Sequence, residues 1–143
     1  MNTNSNSSAV AGRLLLASLF VLSGVGKIAA PAMTQGFIAS VGIPAPLFAY
    51  LASTAIEVGG GLLLVLGYRT RVVAALLAAF SLLTAVIFHH NFADQNQMIH
   101  FLKNVAIAGG LLQVVAFGGG TYSLDGRRAV RSPDRQSPAT RAA

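Results

Sequence analysis

The chain has 143 residues, of which 54% are hydrophobic and only 10% are charged. Soluble domains carry about 25% charged residues, so this composition argues against a water-soluble enzyme and for a small integral membrane protein. Cysteine is absent, which removes disulfides, thiolate nucleophiles, iron–sulfur clusters and cysteine-based zinc sites.

Residues 1–12 (MNTNSNSSAVAG) are polar and uncharged and are expected to form a disordered N-terminus. Four apolar stretches follow, at about 14–30, 47–67, 72–88 and 99–117. Crossing roughly 30 Å of hydrocarbon at about 1.5 Å per residue takes about 17–25 residues, so each stretch can span a membrane. The expected fold is all-α: a polytopic four-transmembrane-helix bundle over residues 13–120. After Gly118-Gly119-Gly120 the composition turns polar and basic, and 121–143 is expected to be a disordered cytoplasmic tail.

The net charge of +6 is unevenly spread. Arg13, Arg69, Arg71, Arg127, Arg128, Arg131, Arg135 and Arg141, eight of the ten basic residues, fall on one side of a four-span topology. The positive-inside rule places that side, with both termini, in the cytoplasm. A cleavable signal peptide is the rival reading of the first stretch. The long uncharged N-terminal region and Lys27, where a cleavage region lacks charge, favour a retained span.

Between the first two spans, Pro31 can open a short helix at its first position, and Gly42 and Pro44 stop it. Phe37, Ile38 and Val41 share one face. A short interfacial helix or a re-entrant segment is expected here; an apolar loop resting on the helix ends is the plainer alternative.

Glu57 stands near the middle of the second span. A carboxylate there must face the bundle interior and either find a cation or carry a proton. Ser53, Glu57, Gly60, Gly61 and Leu64 share a helical face, so Glu57 should point into a close interhelical contact. Lys27 ends the first span, one turn after Ser23. Lys103 lies early in the fourth span, with His100 on its stripe and Asn104 beside it. One reading is a polar intramembrane binding pocket of Lys27, Glu57, Lys103, Asn104 and His100, for an anion, a polar head group or a proton. The other is a buried ion pair that fixes helix register.

His89 and His90, with Asn91, Asp94, Gln95 and Gln97, lie around the loop before the fourth span. Adjacent histidines cannot both face one side of a helix, so no metal site is assigned. A pH-sensitive or quinone-bonding histidine is a secondary reading, behind simple interfacial polarity. Gln113 can hydrogen-bond across helices, and Ala106, Gly109 and Gly110 near it signal close packing. The glycine runs at 59–61 and 118–120 lack any phosphate-binding context. Gly-Gly-Leu-Leu occurs at 60–63 and 109–112, hinting at two related helix pairs.

Several motifs occur in a specific order. Arg13 is followed by LLLASLFVLSGVGKI in the first span and GIPAP in the loop. EVGGGLLLVLGYRTR covers the second span and its turn, FLKN lies in the fourth span, and GGGTYSLDGRR closes the set. In this order and spacing, over about Arg13 to Arg128, the chain resembles the DoxX family of small bacterial inner-membrane proteins. The resemblance implies a four-helix bundle with Lys27 and Glu57 at its functional or structural centre; Lys103 carries over less securely. It also implies a direction, because the family name derives from a subunit of a thiosulfate:quinone oxidoreductase and some members accompany membrane redox or thiol-stress systems.

No complete catalytic set is present, so no catalytic residue is assigned. The favoured expectation is an accessory or binding subunit of a quinone- or thiol-stress-linked membrane system. The alternative is a stand-alone binding or transport protein for a small anion or lipophilic metabolite. No cofactor follows from the residues, and quinone is the one candidate. The expected surroundings are the lipid bilayer, a redox-complex protein partner or further copies of the chain, and no nucleic acid.

Overall fold

The computed structural model describes residues 3–131, with side chains described for 6–128. Six helices follow in chain order: α1 (Thr3–Ala29), α2 (Pro31–Ser40), α3 (Pro46–Leu66), α4 (Thr70–Phe88), α5 (Gln95–Phe117) and α6 (Leu124–Arg131). Among the described residues there is no strand. Helices α1, α3, α4 and α5 each contain a stretch long and apolar enough to cross a membrane.

The helix ends follow local chemistry. Pro31 and Pro46 occupy the first turns of α2 and α3, where a missing N–H costs nothing. Gly67 ends α3 in the left-handed region at φ 66°, and the Tyr68 N–H closes onto the Leu63 carbonyl at 3.1 Å. Asp94 caps α5, accepting from the Asn96 and Gln97 N–H groups at 2.8 and 3.4 Å.

Packing is pairwise: α1 lies mainly on α3 and α4 on α5, while α3 against α4 and α1 against α5 join the pairs. Ala17, Phe20, Leu64, Leu77, Ala108 and Leu111 belong to the shared core. The α1/α3 contact needs small residues. A Cβ on Gly24 would lie 2.5 Å from Val58 Cγ2, and one on Gly61 would lie 2.7 Å from Val21 Cγ2. Helix α2 packs on α3, burying Ile38 and stacking Phe37 on Phe88 with ring centroids 5.4 Å apart.

Two boundaries differ from the sequence reading. Helix α1 begins at Thr3, inside the segment expected to be disordered, because a helix already nucleated by its apolar part extends cheaply through uncharged residues. The segment after Gly118 folds back and forms α6, because its backbone finds partners on α1 and at the end of α3 and its Asp125 side chain finds them at the start of α4. The remainder of the expected tail, 132–143, lies outside the described residues.

Candidate functional site

The bundle has two polar ends of different construction. The histidine end holds the start of α5, the end of α4 and, deeper, the Lys27–Glu57 pair. The arginine end holds Arg13, the α3–α4 turn and the segment from Gly118 to α6.

At the histidine end, the Lys27 Nζ donates to Glu57 Oε1 and Oε2 at 2.8 and 2.7 Å and to Ser23 Oγ at 3.0 Å. The Ser23 hydroxyl donates in turn to Glu57 Oε1 at 3.2 Å. All three ammonium protons are therefore engaged. The Lys27 side chain is 24% exposed and that of Glu57 8%. A ligand oxygen can reach the ammonium by displacing Ser23. Thr54, one turn before Glu57 on α3, buries its hydroxyl oxygen without a partner.

The α5 members of the expected pocket do not bond to the Lys27–Glu57 pair. Lys103 is exposed and makes no ion pair or hydrogen bond among the described residues. The Asn104 side-chain amide donates to the His100 carbonyl at 3.1 Å, within its own helix. The His100 ring stacks on His89, centroids 5.0 Å apart, and His89 Nδ1 lies 3.0 Å from Gln97 Oε1. His90 is exposed and turns to the Ile87 carbonyl, 3.2 Å from its Nδ1. Among the described residues no three metal-ligating side chains come together. Gln113 is exposed and has no partner among the described residues, so it does not tie the bundle together. Gly110 approaches Leu16 of α1, but Gly109 faces open space.

The arginine end was not foreseen as a site. Arg13 is 3% exposed. Its guanidinium donates to the carbonyls of Gly119, Tyr122 (3.0 Å) and Val65 (3.5 Å), tying α1 to α3 and to the segment before α6. Gly119 makes room for it: a Cβ there would sit 2.9 Å from Arg13 Nη1 and 2.7 Å from Thr70 Oγ1. Asp125 of α6 caps α4 from outside. It accepts from the Arg69 N–H at 2.9 Å and from the Thr70 N–H and hydroxyl at 2.7 Å each. Burial pushes the Asp125 carboxyl up, but these bonds and the Arg128 charge outweigh it and hold the group below the usual carboxylate range. The Asp125 N–H donates to the Gly67 carbonyl at 3.0 Å, and Ser123 caps α6 through the Gly126 N–H, also at 3.0 Å. The one sequence signal for this arrangement was that Arg13, GYRTR and GGGTYSLDGRR all belong to the ordered motifs, although they lie far apart in the chain.

Four helices able to span a membrane, joined in pairs and carrying a Lys–Glu pair between them, define a small polytopic membrane bundle. The DoxX family model matches residues 8–90, and the chain belongs to that family. It is 41% identical to the inner membrane protein YqjF of Escherichia coli K12, over 79% of this chain and 85% of that protein. It is 38% identical to the inner membrane protein YphA of the same organism, over 80% of this chain and 86% of that protein. No solved structure matches significantly.

Proposed function

We propose that this inner membrane protein is a non-catalytic binding subunit of a membrane-associated redox system, with its recognition site at Lys27, Glu57 and Ser23. The observation that carries this reading is the ion pair itself, closed on the Glu57 side and partly open on the Lys27 side. Thr54 adds an unsatisfied hydroxyl one turn away. A lipophilic carbonyl compound such as a quinone fits this chemistry, because its oxygen can replace Ser23 as an acceptor from Lys27 without adding charge. The redox direction rests on the family resemblance. The positive-inside rule supports an orientation with the arginine end and both termini in the cytoplasm.

A homo-oligomer belongs to the same reading. Ile99, Leu102, Ala106, Gly109, Gln113 and Ala116 recur every third or fourth residue along α5, and all are exposed. This is the spacing of a helix–helix seam, and an amide in hydrocarbon gains from a partner. Two copies inserted in the same direction would set Gln113 against its own counterpart.

Native mass spectrometry of the gently solubilised protein, with lipid extraction and an absorption spectrum on the same sample, tests the reading. The expected result is a stoichiometric partner or quinone that is lost in Glu57→Gln. A bare oligomer carrying only bulk lipid overturns the redox-subunit reading and favours the stand-alone alternative. Liposome flux abolished by Glu57→Gln would then support that alternative.

A further inference from the structure

The exposed part of the arginine end carries chemistry that neither the bundle's packing nor the Lys27–Glu57 pair uses. Arg69 and Arg128 are exposed, and among the described residues neither is in a salt bridge. Both instead flank Tyr68, Arg69 as its neighbour in the chain and Arg128 from α6. The Arg128 guanidinium carbon also lies 4.9 Å from the centre of the Tyr68 ring. The hydrogen bond from Arg128, with Arg69 beside it, lowers the pKa of that phenol. Two arginines thus stand beside one surface phenol, and the spot favours negative charge.

The cluster is held in place by the fold. Arg69 sits in the left-handed region at φ 45°, a conformation unusual for a side chain of its size. The Asp125 carboxylate fixes it there through the Arg69 N–H, and the same residue anchors α6 and therefore Arg128. That carboxylate accepts three N–H and O–H bonds and, among the described residues, forms no salt bridge with either guanidinium, so both can turn to an outside anion. The surroundings select among anions. Leu66 is 54% exposed and Val72 56%, so apolar side chains flank the cluster at the ends of two membrane-spanning helices. A free phosphate has no use for that apolar rim, whereas a phospholipid lays its acyl chains along it.

We propose that Arg69, Arg128 and the Tyr68 hydroxyl bind the phosphodiester of an anionic phospholipid, whose acyl chains lie against Leu66 and Val72. Each guanidinium can present two N–H groups to the non-bridging oxygens, and the Tyr68 hydroxyl can donate a third kind of bond once the arginines turn outward. A zwitterionic lipid brings an ammonium into the same positive field and is disfavoured.

The test uses the full chain in nanodiscs of mixed phosphatidylglycerol and phosphatidylcholine, with retained lipid counted by native mass spectrometry after mild delipidation. The variants are Arg69→Asn, which keeps a residue that tolerates the left-handed turn, Arg128→Gln, and the pair together. Arg127→Gln is the control, and circular dichroism checks that helix content is unchanged. The expected result is preferential retention of phosphatidylglycerol, reduced at least about threefold in the double variant and unchanged in Arg127→Gln, with weaker retention at high salt. Equal retention of both lipids by the unaltered chain, or equal phosphatidylglycerol retention by the double variant, overturns the proposal. Displacement of the lipid by millimolar inorganic phosphate overturns the lipid assignment and makes the site one for free phosphate.

Discussion

The two ends of the bundle both bury an ionised side chain, yet they neutralise it by opposite means. At the arginine end, Arg13 is matched by backbone carbonyls of Gly119, Tyr122 and Val65, with no counter-charge in contact. At the histidine end, Lys27 and Glu57 match each other, and Lys27 keeps a route to the surface. Carbonyls fixed in the chain cannot leave, so the first arrangement is a permanent joint. A pair of side chains can separate, turn outward or exchange a partner for a ligand, so the second can work as a site.

Substituting Arg13 should have the largest effect. Arg13→Met leaves three carbonyls without their donor at a tightly packed joint and is expected to destabilise by about 3–5 kcal/mol. Thermal unfolding in detergent reads this, and a smaller loss than for Glu57→Gln would break the comparison. Glu57→Gln should destabilise by about 1–3 kcal/mol, below the full value for a broken buried pair, because the partly exposed Lys27 can turn toward water. Replacing both partners, as Lys27→Met with Glu57→Leu, should restore most of that loss, while any ligand binding stays abolished.

Asp125→Ala removes the cap on α4 and should destabilise by about 1 kcal/mol. Because folding lowers the Asp125 pKa, its contribution is complete above the ordinary carboxylate value of about 4. It is then lost as the pH falls through the lower folded value. The gap in unfolding temperature between this variant and the unaltered chain should therefore close on acidification and stay constant through neutral pH. The smallest effect is expected at Lys103, which touches nothing that holds the bundle. Lys103→Met should change stability by less than about 0.5 kcal/mol. A loss comparable to that of Glu57→Gln would show that Lys103 belongs to the pair after all.

The spans were legible because crossing a membrane imposes one requirement, apolar length, which a sequence states openly. The Lys27–Glu57 contact was legible for a related reason: an ionised group in hydrocarbon demands a partner, and Gly60 and Gly61 marked the face that would be approached. Periodicity could say that His100, Lys103 and Asn104 lie close together on α5, but not which neighbour that face would meet. His100 meets His89, Asn104 bonds within its own helix and Lys103 faces outward. The Arg13 joint was hidden because its partners are carbonyls. Every residue has one, so no letter in the sequence distinguishes Gly119 or Tyr122 as an acceptor.

The Arg13 joint also sets an order of assembly. The ribosome delivers α1 first, whereas the carbonyls of Gly119 and Tyr122 emerge only after the last spanning helix has been made. Until then the guanidinium must stay near water or lipid phosphates and hold the start of α1 close to the membrane surface. Completion of the bundle is thus a ring closure between α1 and the segment before α6. A polypeptide cut short before Gly119 retains all four spanning helices but lacks two of the three carbonyls that hold Arg13.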